Sequence, residues 1–183
     1  HCGVARAIMI PEAALFGDPV VGNREVEKVL AAHPDRFSGS FVFNPFYGDE
    51  LARQFDEFFD RGFFVGFKIL PGYWQRPVTD PAYAPMWRYA DRRGLPILIH
   101  TWNDVHLLRD IVPRYPGAVF VLGHSGGGDA GRADAVALAK ANPNVLLEFC
   151  GSFLTSVDWL DTIAELGAGR IAEVGARFTL EVD

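Results

Sequence analysis

Cysteine is nearly absent from this chain: two in 183 residues, Cys2 and Cys150. That is too few for a disulfide framework and fits a reducing compartment, so the expected location is cytoplasmic. Long apolar runs are missing as well. None approaches the roughly 18 residues of a membrane helix, so no membrane partner is expected. Positive charge is sparse, with 17 Lys and Arg against 23 Asp and Glu and a net charge of −6. No basic cluster exceeds the Asp91-Arg92-Arg93 stretch, which argues against nucleic acid as a partner. No Gly-x-Gly-x-x-Gly follows the first strand candidate and no P-loop occurs, so nucleotide-binding open sheets lose support. The chain opens on His1-Cys2-Gly3-Val4, with neither start methionine nor n-region. No signal peptide is visible there, and the expectation is that upstream residues are missing.

What is present is an alternation of strand and helix patterns. Apolar strand candidates are Arg6–Ile10, Phe37–Phe43, Phe63–Leu70, Leu95–His100, Ala118–Gly123 and Val145–Phe149, with a weaker seventh at Arg177–Val182. Helical stretches lie between them at Asn23–Ala32, Asp49–Asp60, Asp80–Arg93, Asn103–Tyr115, Asp129–Ala141 and Ser156–Leu166. Asp80-Pro81 reads as an N-cap followed by proline at the first helical position. Gly62, Gly94 and Gly167 fall where helix-ending glycines belong. Strands separated by helices imply a parallel sheet, and the fold class is α/β. A (β/α)₈ barrel is favoured over an open doubly wound sheet, because polar residues stand on several successive strand tips. A barrel of this kind runs to about 250 residues. Residues 1–183 therefore read as a single barrel domain incomplete at both ends, lacking a first strand and a last helix.

Two of the apolar runs end on histidine: Leu95-Pro96-Ile97-Leu98-Ile99-His100 and Val119-Phe120-Val121-Leu122-Gly123-His124. Imidazoles at consecutive strand tips suggest a shared site, as two metal ligands or as one ligand and one acid/base; the alternative is a pair of rim histidines held by hydrogen bonds. Lys68 lies inside a buried run, where a lysine is costly unless paired or functional. It could bind an anionic substrate group, become carbamylated and bridge metals, or snorkel to the rim. Glu148 ends another run and could orient a ligand or bind substrate, or pair at the rim. Asp183 is a candidate carboxylate ligand. Tyr73, Trp74, Trp102 and Phe153 follow strands on the same face and could line a substrate pocket or pack the loops. The glycine-rich turn Gly123 to Asp129 reads as a flexible loop beside His124, unspecific as a phosphate signature. Trp87 and Tyr89 read as core, His33 as surface, His106 as outside the site and Cys150 as a small buried residue. His1 and Cys2 do not read as a metal pair.

At these residues the chain resembles the amidohydrolase superfamily, in the amidohydrolase-related branch that holds metal-dependent hydrolases and aminocarboxymuconate-semialdehyde-type decarboxylases. The resemblance rests on Gly3 to Ile8, Gly62 to Ile69, Leu95 to Thr101 and Phe120 to Gly127, with a looser match at Asn144 to Glu148. It implies that His100, on barrel strand five, is a metal ligand and that His124, on strand six, is a second ligand or the acid/base. It implies a divalent metal, zinc first with manganese or iron as alternatives, and water activated for attack on a C–N or C–O bond of a small carbonyl substrate. Lys68, Trp74, Trp102 and Glu148 would face that substrate. The family's first strand carries a His-x-His pair, and this sequence has none. Asp183 could stand for the aspartate of the last strand. The leading expectation is a metal-dependent hydrolase. A non-oxidative decarboxylase of a small aromatic acid and an inactive barrel used for binding or assembly are the alternatives. A homodimer is an expectation of the resemblance alone.

Overall fold

A computed structural model describes residues 4–149 and 156–171. Six strands form one sheet in strict sequential order, every neighbouring pair parallel. They are β1 (Ala7–Met9), β2 (Phe37–Val42), β3 (Phe64–Ile69), β4 (Pro96–His100), β5 (Val119–Gly123) and β6 (Val145–Leu147). Ile171 adds a parallel bridge to Leu147, so the chain returns beside β6 earlier than the Arg177–Val182 segment. That segment lies outside the described residues, as do Asp183, Phe153, Cys150, Cys2 and His1. The order never reverses, as it must in a doubly wound sheet. With helices after each strand, the architecture is a partial (β/α) barrel.

The helices are α1 (Glu12–Phe16), α2 (Pro19–Ala32), α3 (Gly48–Ala52), α4 (Phe55–Asp60), α5 (Ala84–Arg93), α6 (Gly128–Ala141) and α7 (Ser156–Leu166). Four differ from the pattern in the sequence. α5 starts at Ala84 rather than Asp80, because Asp80 caps a 3₁₀ turn, Pro81–Tyr83, that precedes it. α2 starts four residues earlier, because Asp18 accepts from the backbone N–H of Val20 and Val21 and Pro19 opens the first turn. The Asp49–Asp60 stretch divides into α3 and α4. The Asn103–Tyr115 stretch forms only two 3₁₀ turns, Val105–Leu108 and Val112–Arg114. Pro113 lacks the N–H that a continuous helix needs at that point, and Asn103 takes a left-handed φ of 59°. α1 was not visible as a pattern, being one short turn. No helix among the described residues is long and apolar enough to cross a membrane.

The sheet has two unlike faces. On the helix-covered side Phe41, Phe67, Ile69, Ile97, Ile99, Phe120 and Leu122 are buried. Phe41 sits at the centre of an aromatic cluster, with Phe55, Phe58, Phe64 and Phe67 each 5.3–5.9 Å from its ring. A bulge helps build it: Gly39 pairs with Phe64 but Ser40 pairs with Gly66, so Val65 is the extra residue. The skipped residue lets Phe64 and Phe67 both face the helices despite their odd spacing. On the opposite side the alternation brings Lys68, Leu98, His100 and Val121 to one inner face, since Lys68 pairs with Leu98 and Leu98 with Val121. Asn23 closes the open flank of β2, donating to Val42 O and accepting from Val42 N–H, both at 3.0 Å, beyond the point where β1 ends.

Truncating the centre of the aromatic cluster tests this packing. Phe41→Ala is expected to lower unfolding stability by about 3–5 kcal/mol, read from urea denaturation, because an enclosed site cannot collapse around the lost ring. A loss under about 1 kcal/mol would show that the cluster is not the core.

Candidate active site

His100 is the last residue of β4 and pairs with Gly123, the last of β5; His124 follows directly. The register therefore sets the two imidazoles side by side. Their ring centroids are 4.6 Å apart at an interplanar angle of 67°. Tyr73 stands edge-on to His100 at 5.0 Å, and Trp102 to His124 at 6.0 Å. Phe16 from α1 meets Tyr73 at 6.0 Å, extending the aromatic wall outward. Tyr73, Phe16 and Trp102 are all exposed.

Lys68 and Glu148 are buried, and by strand parity both belong to the inner face with His100. Burial, joined by the nearby charges of His124 and Lys68, pushes the His100 imidazole down to about 4. Its ring is therefore neutral at physiological pH and carries a free lone pair. The Glu148 carboxylate accepts the backbone N–H of His124 at 3.3 Å.

The turn carrying His124 is in an uncommon conformation. Residues 124 to 128 all have positive φ, among them the non-glycine residues His124 at 59° and Ser125 at 48°. Such a conformation costs about 1–3 kcal/mol at a non-glycine residue and collects at functional sites. A Cβ on Gly126 would meet Gly131 O at 2.1 Å, so the turn packs directly on the first turn of α6. Thr101 Oγ1 donates to Gly123 O at 2.6 Å and accepts from Gly126 N–H at 3.1 Å. Ser125 Oγ donates to Glu148 O at 2.9 Å, and Asn103 N–H to Gly126 O at 2.7 Å. The turn expected to be a flexible loop is tied at four points.

Of the residues singled out in the sequence, the structure brings together His100, His124, Lys68, Glu148 and Trp102. Trp74 is turned elsewhere: its indole N–H donates to Leu15 O at 2.9 Å and its ring packs partly against the core, which ties the loop after β3 to α1. Its neighbour Tyr73 takes the place beside His100. His33 and His106 are exposed, and Trp87 and Tyr89 are buried, as read. Thr101 and Ser125 were not recognised from sequence. Their signal was a pair of hydroxyl residues flanking a glycine-rich turn at a histidine-bearing strand tip.

His100 offers a half-buried, neutral imidazole nitrogen suited to a divalent cation, with a second imidazole beside it. Among the described residues no group of three or more His, Cys, Asp or Glu side chains is placed to hold a metal ion.

No curated protein matches the chain. Solved structures do. An uncharacterized TIM-barrel protein from Bordetella bronchiseptica is similar with a TM-score of 0.69 at 19% identity, over 82% of this chain and 58% of its own. A 5-carboxyvanillate decarboxylase from Novosphingobium aromaticivorans, in complex with manganese and 4-hydroxy-3-methoxy-5-nitrobenzoic acid, is similar at 0.68 and 18% identity, over 92% and 65%. A 2,6-dihydroxybenzoate decarboxylase from Rhizobium is similar at 0.66 and 17%, over 91% and 72%. The chain thus spans 58% of the length of the first of these barrels and 65% of the second. Likeness at these identities concerns the fold. The family model named Amidohydrolase matches residues 17–176, most of the chain, and this protein belongs to that family.

Proposed function

We propose that this chain carries the β3 to β6 part of a metal-dependent active site whose substrate is a small aromatic carboxylic acid, and whose reaction is non-oxidative decarboxylation. The observation that carries the reading is the placement of buried Lys68 on the same inner face as His100, beside exposed aromatic rings. An ammonium suits a carboxylate, and Tyr73 and Trp102 offer ring edges to an aromatic body. The decarboxylases among the structural neighbours lend the reading further support. It reverses the order in which the sequence ranked hydrolysis and decarboxylation.

His100 would hold the cation, since its lone pair is kept free. Manganese, zinc or iron all suit imidazole and carboxylate donors. Such a cation, when bound, would supply positive charge that stabilises negative charge on the substrate. Lys68 binds the acid. The bond from ring carbon to carboxyl carbon breaks, its electron pair stays on the ring carbon, and CO₂ leaves. A ring nitrogen of His124 delivers the proton that the carbon takes up. Trp102 shields that histidine from one side. Overall an acid anion and one proton give CO₂ and the same ring with hydrogen in place of the carboxyl, with no water consumed.

Product analysis decides the reaction. With manganese added, CO₂ release from hydroxylated benzoates without net water consumption is expected; cleavage of amides or esters without CO₂ would instead establish the hydrolase. His124→Asn is expected to retain metal and lose about 10²–10⁴ in kcat, as removal of a proton carrier does. His100→Ala is expected to lose bound metal by elemental analysis. Metal-free protein with wild-type folding and no turnover would leave only the binding-module reading. Lys68→Met is expected to raise KM roughly tenfold to a hundredfold, the worth of one hydrogen bond to a charged group at about 1.5–3 kcal/mol.

The neutrality of His100 has a stability consequence in metal-free protein. Its folded pKa, about 4, lies below the ordinary 6.5. As pH falls through that window the unfolded chain takes up a proton that the folded one refuses, so stability is lost between pH 6.5 and 4. Urea unfolding at stepped pH is expected to show a shallower loss in His100→Asn than in the parent. Parallel slopes would mean that His100 titrates normally.

A further inference from the structure

We propose that Thr101 is the positioning residue that sets the spacing of the proton carrier His124 from the cation-holding His100, by clamping the left-handed turn that carries His124. This role presupposes that His100 holds the cation. Thr101 is peptide-bonded to His100 and its side chain is 1% exposed. Its single hydroxyl makes two bonds, both to the neighbouring turn: Oγ1–H to Gly123 O at 2.6 Å, and Gly126 N–H to Oγ1 at 3.1 Å. Those two partners bracket His124 and Ser125, the two non-glycine residues of this turn held at positive φ. The bracketed pair would relax toward the common right-handed or extended regions if released, and either change would swing the His124 ring away from His100.

The other ties do not span the same residues. Asn103 N–H reaches only Gly126 O, and Ser125 Oγ points to β6 through Glu148 O. The Glu148 carboxylate meets the backbone N–H of His124, from β6 rather than from the strand that bears His100. Thr101 alone among these hydroxyls links the residue before His124 to the residue after Ser125, and it does so from the strand that bears His100. A hydroxyl is required because one atom must donate and accept. Valine has the shape without either capacity, and serine has both without the methyl.

Thr101→Val and Thr101→Ser in the metal-free, isotope-labelled protein separate the two ideas. In the parent, rings 4.6 Å apart at their centroids give a proton–proton Overhauser contact between His100 and His124. Thr101→Ser is expected to keep this contact and to bind cobalt(II), followed by its visible absorption, within about twofold of the parent. Thr101→Val is expected to lose the contact, to broaden the amide signals of residues 124–128, and to lower kcat by about 10²-fold while cobalt(II) stays bound, the usual scale for a misplaced reacting group. A Thr101→Val protein that keeps the contact and sharp amide signals overturns the proposal, and so does a Thr101→Ser protein that loses the contact. Should Thr101→Val fail to fold, the serine variant set against Thr101→Ala gives the same decision. Absence of cobalt binding by the parent would refute the metal role of His100, while the Overhauser comparison would still judge Thr101.

Discussion

The site depends on the register between β4 and β5. Five consecutive pairs, from Pro96 with Val119 to His100 with Gly123, set two imidazoles at neighbouring strand tips. That register is enforced from the other side of the sheet. Ile97, Ile99, Phe120 and Leu122 have no exposed surface, and Phe120 stacks on Trp87 of α5 at 5.7 Å. A slip of β4 by one residue would turn Ile97 and Ile99 to the inner face and send His100 into the layer under the helices. Burying four such side chains is worth about 6–12 kcal/mol, at roughly 1.5–3 each. Strain at His124 and Ser125 costs about 1–3 kcal/mol per residue. The apolar face wins, and the polar face must accept the geometry it dictates. Gly123 is part of that geometry, because a Cβ there would approach Ile99 O at 2.9 Å.

Strain at the turn is then offset locally. Thr101, Ser125, Asn103 and Glu148 supply bonds from β4, β5 and β6 to one five-residue segment. Each bond alone contributes about 0.5–1.5 kcal/mol net, so no one of them would hold both strained residues. Together they match the cost. The result is a histidine presented on a rigid support rather than on a mobile loop, as a ligand or proton carrier requires if its spacing to a partner is to hold.

The strands and the two histidines were legible because buried parallel strands read as continuous apolar runs, and a polar residue ending such a run stands out. Ser156–Leu166 was legible to its boundaries, since the apolar positions recur at helical spacing. What escaped had a different cause. α1 is too short to show a period. The breaks within Asp49–Asp60 and Asn103–Tyr115 come from local backbone conformation that a count of apolar positions does not register. Trp74 and Tyr73 are adjacent and alike in character, and only the bond from Trp74 to Leu15, 59 residues away in sequence, decides which ring faces the histidines. Thr101 was passed over because its role lies entirely in partners 22 and 25 residues distant. The family resemblance was carried by the strand tips and so was secure where the sheet was secure.

Lys68 joins the electrostatics of the site to its substrate. A lysine this deeply buried is unfavourable without compensating interactions, and Glu148 shares its face. The ammonium acts on His100 as well: its charge helps to hold that imidazole deprotonated. One cation thus favours a neutral nitrogen, ready to bind metal, and a negatively charged guest. A neutral amide or ester would use only the first of these effects. A carboxylate uses both, and brings an anion to a face where a buried ammonium and a divalent metal would otherwise repel each other. On the proposed reading, this is what matches the inner face to an acid rather than to a neutral carbonyl compound.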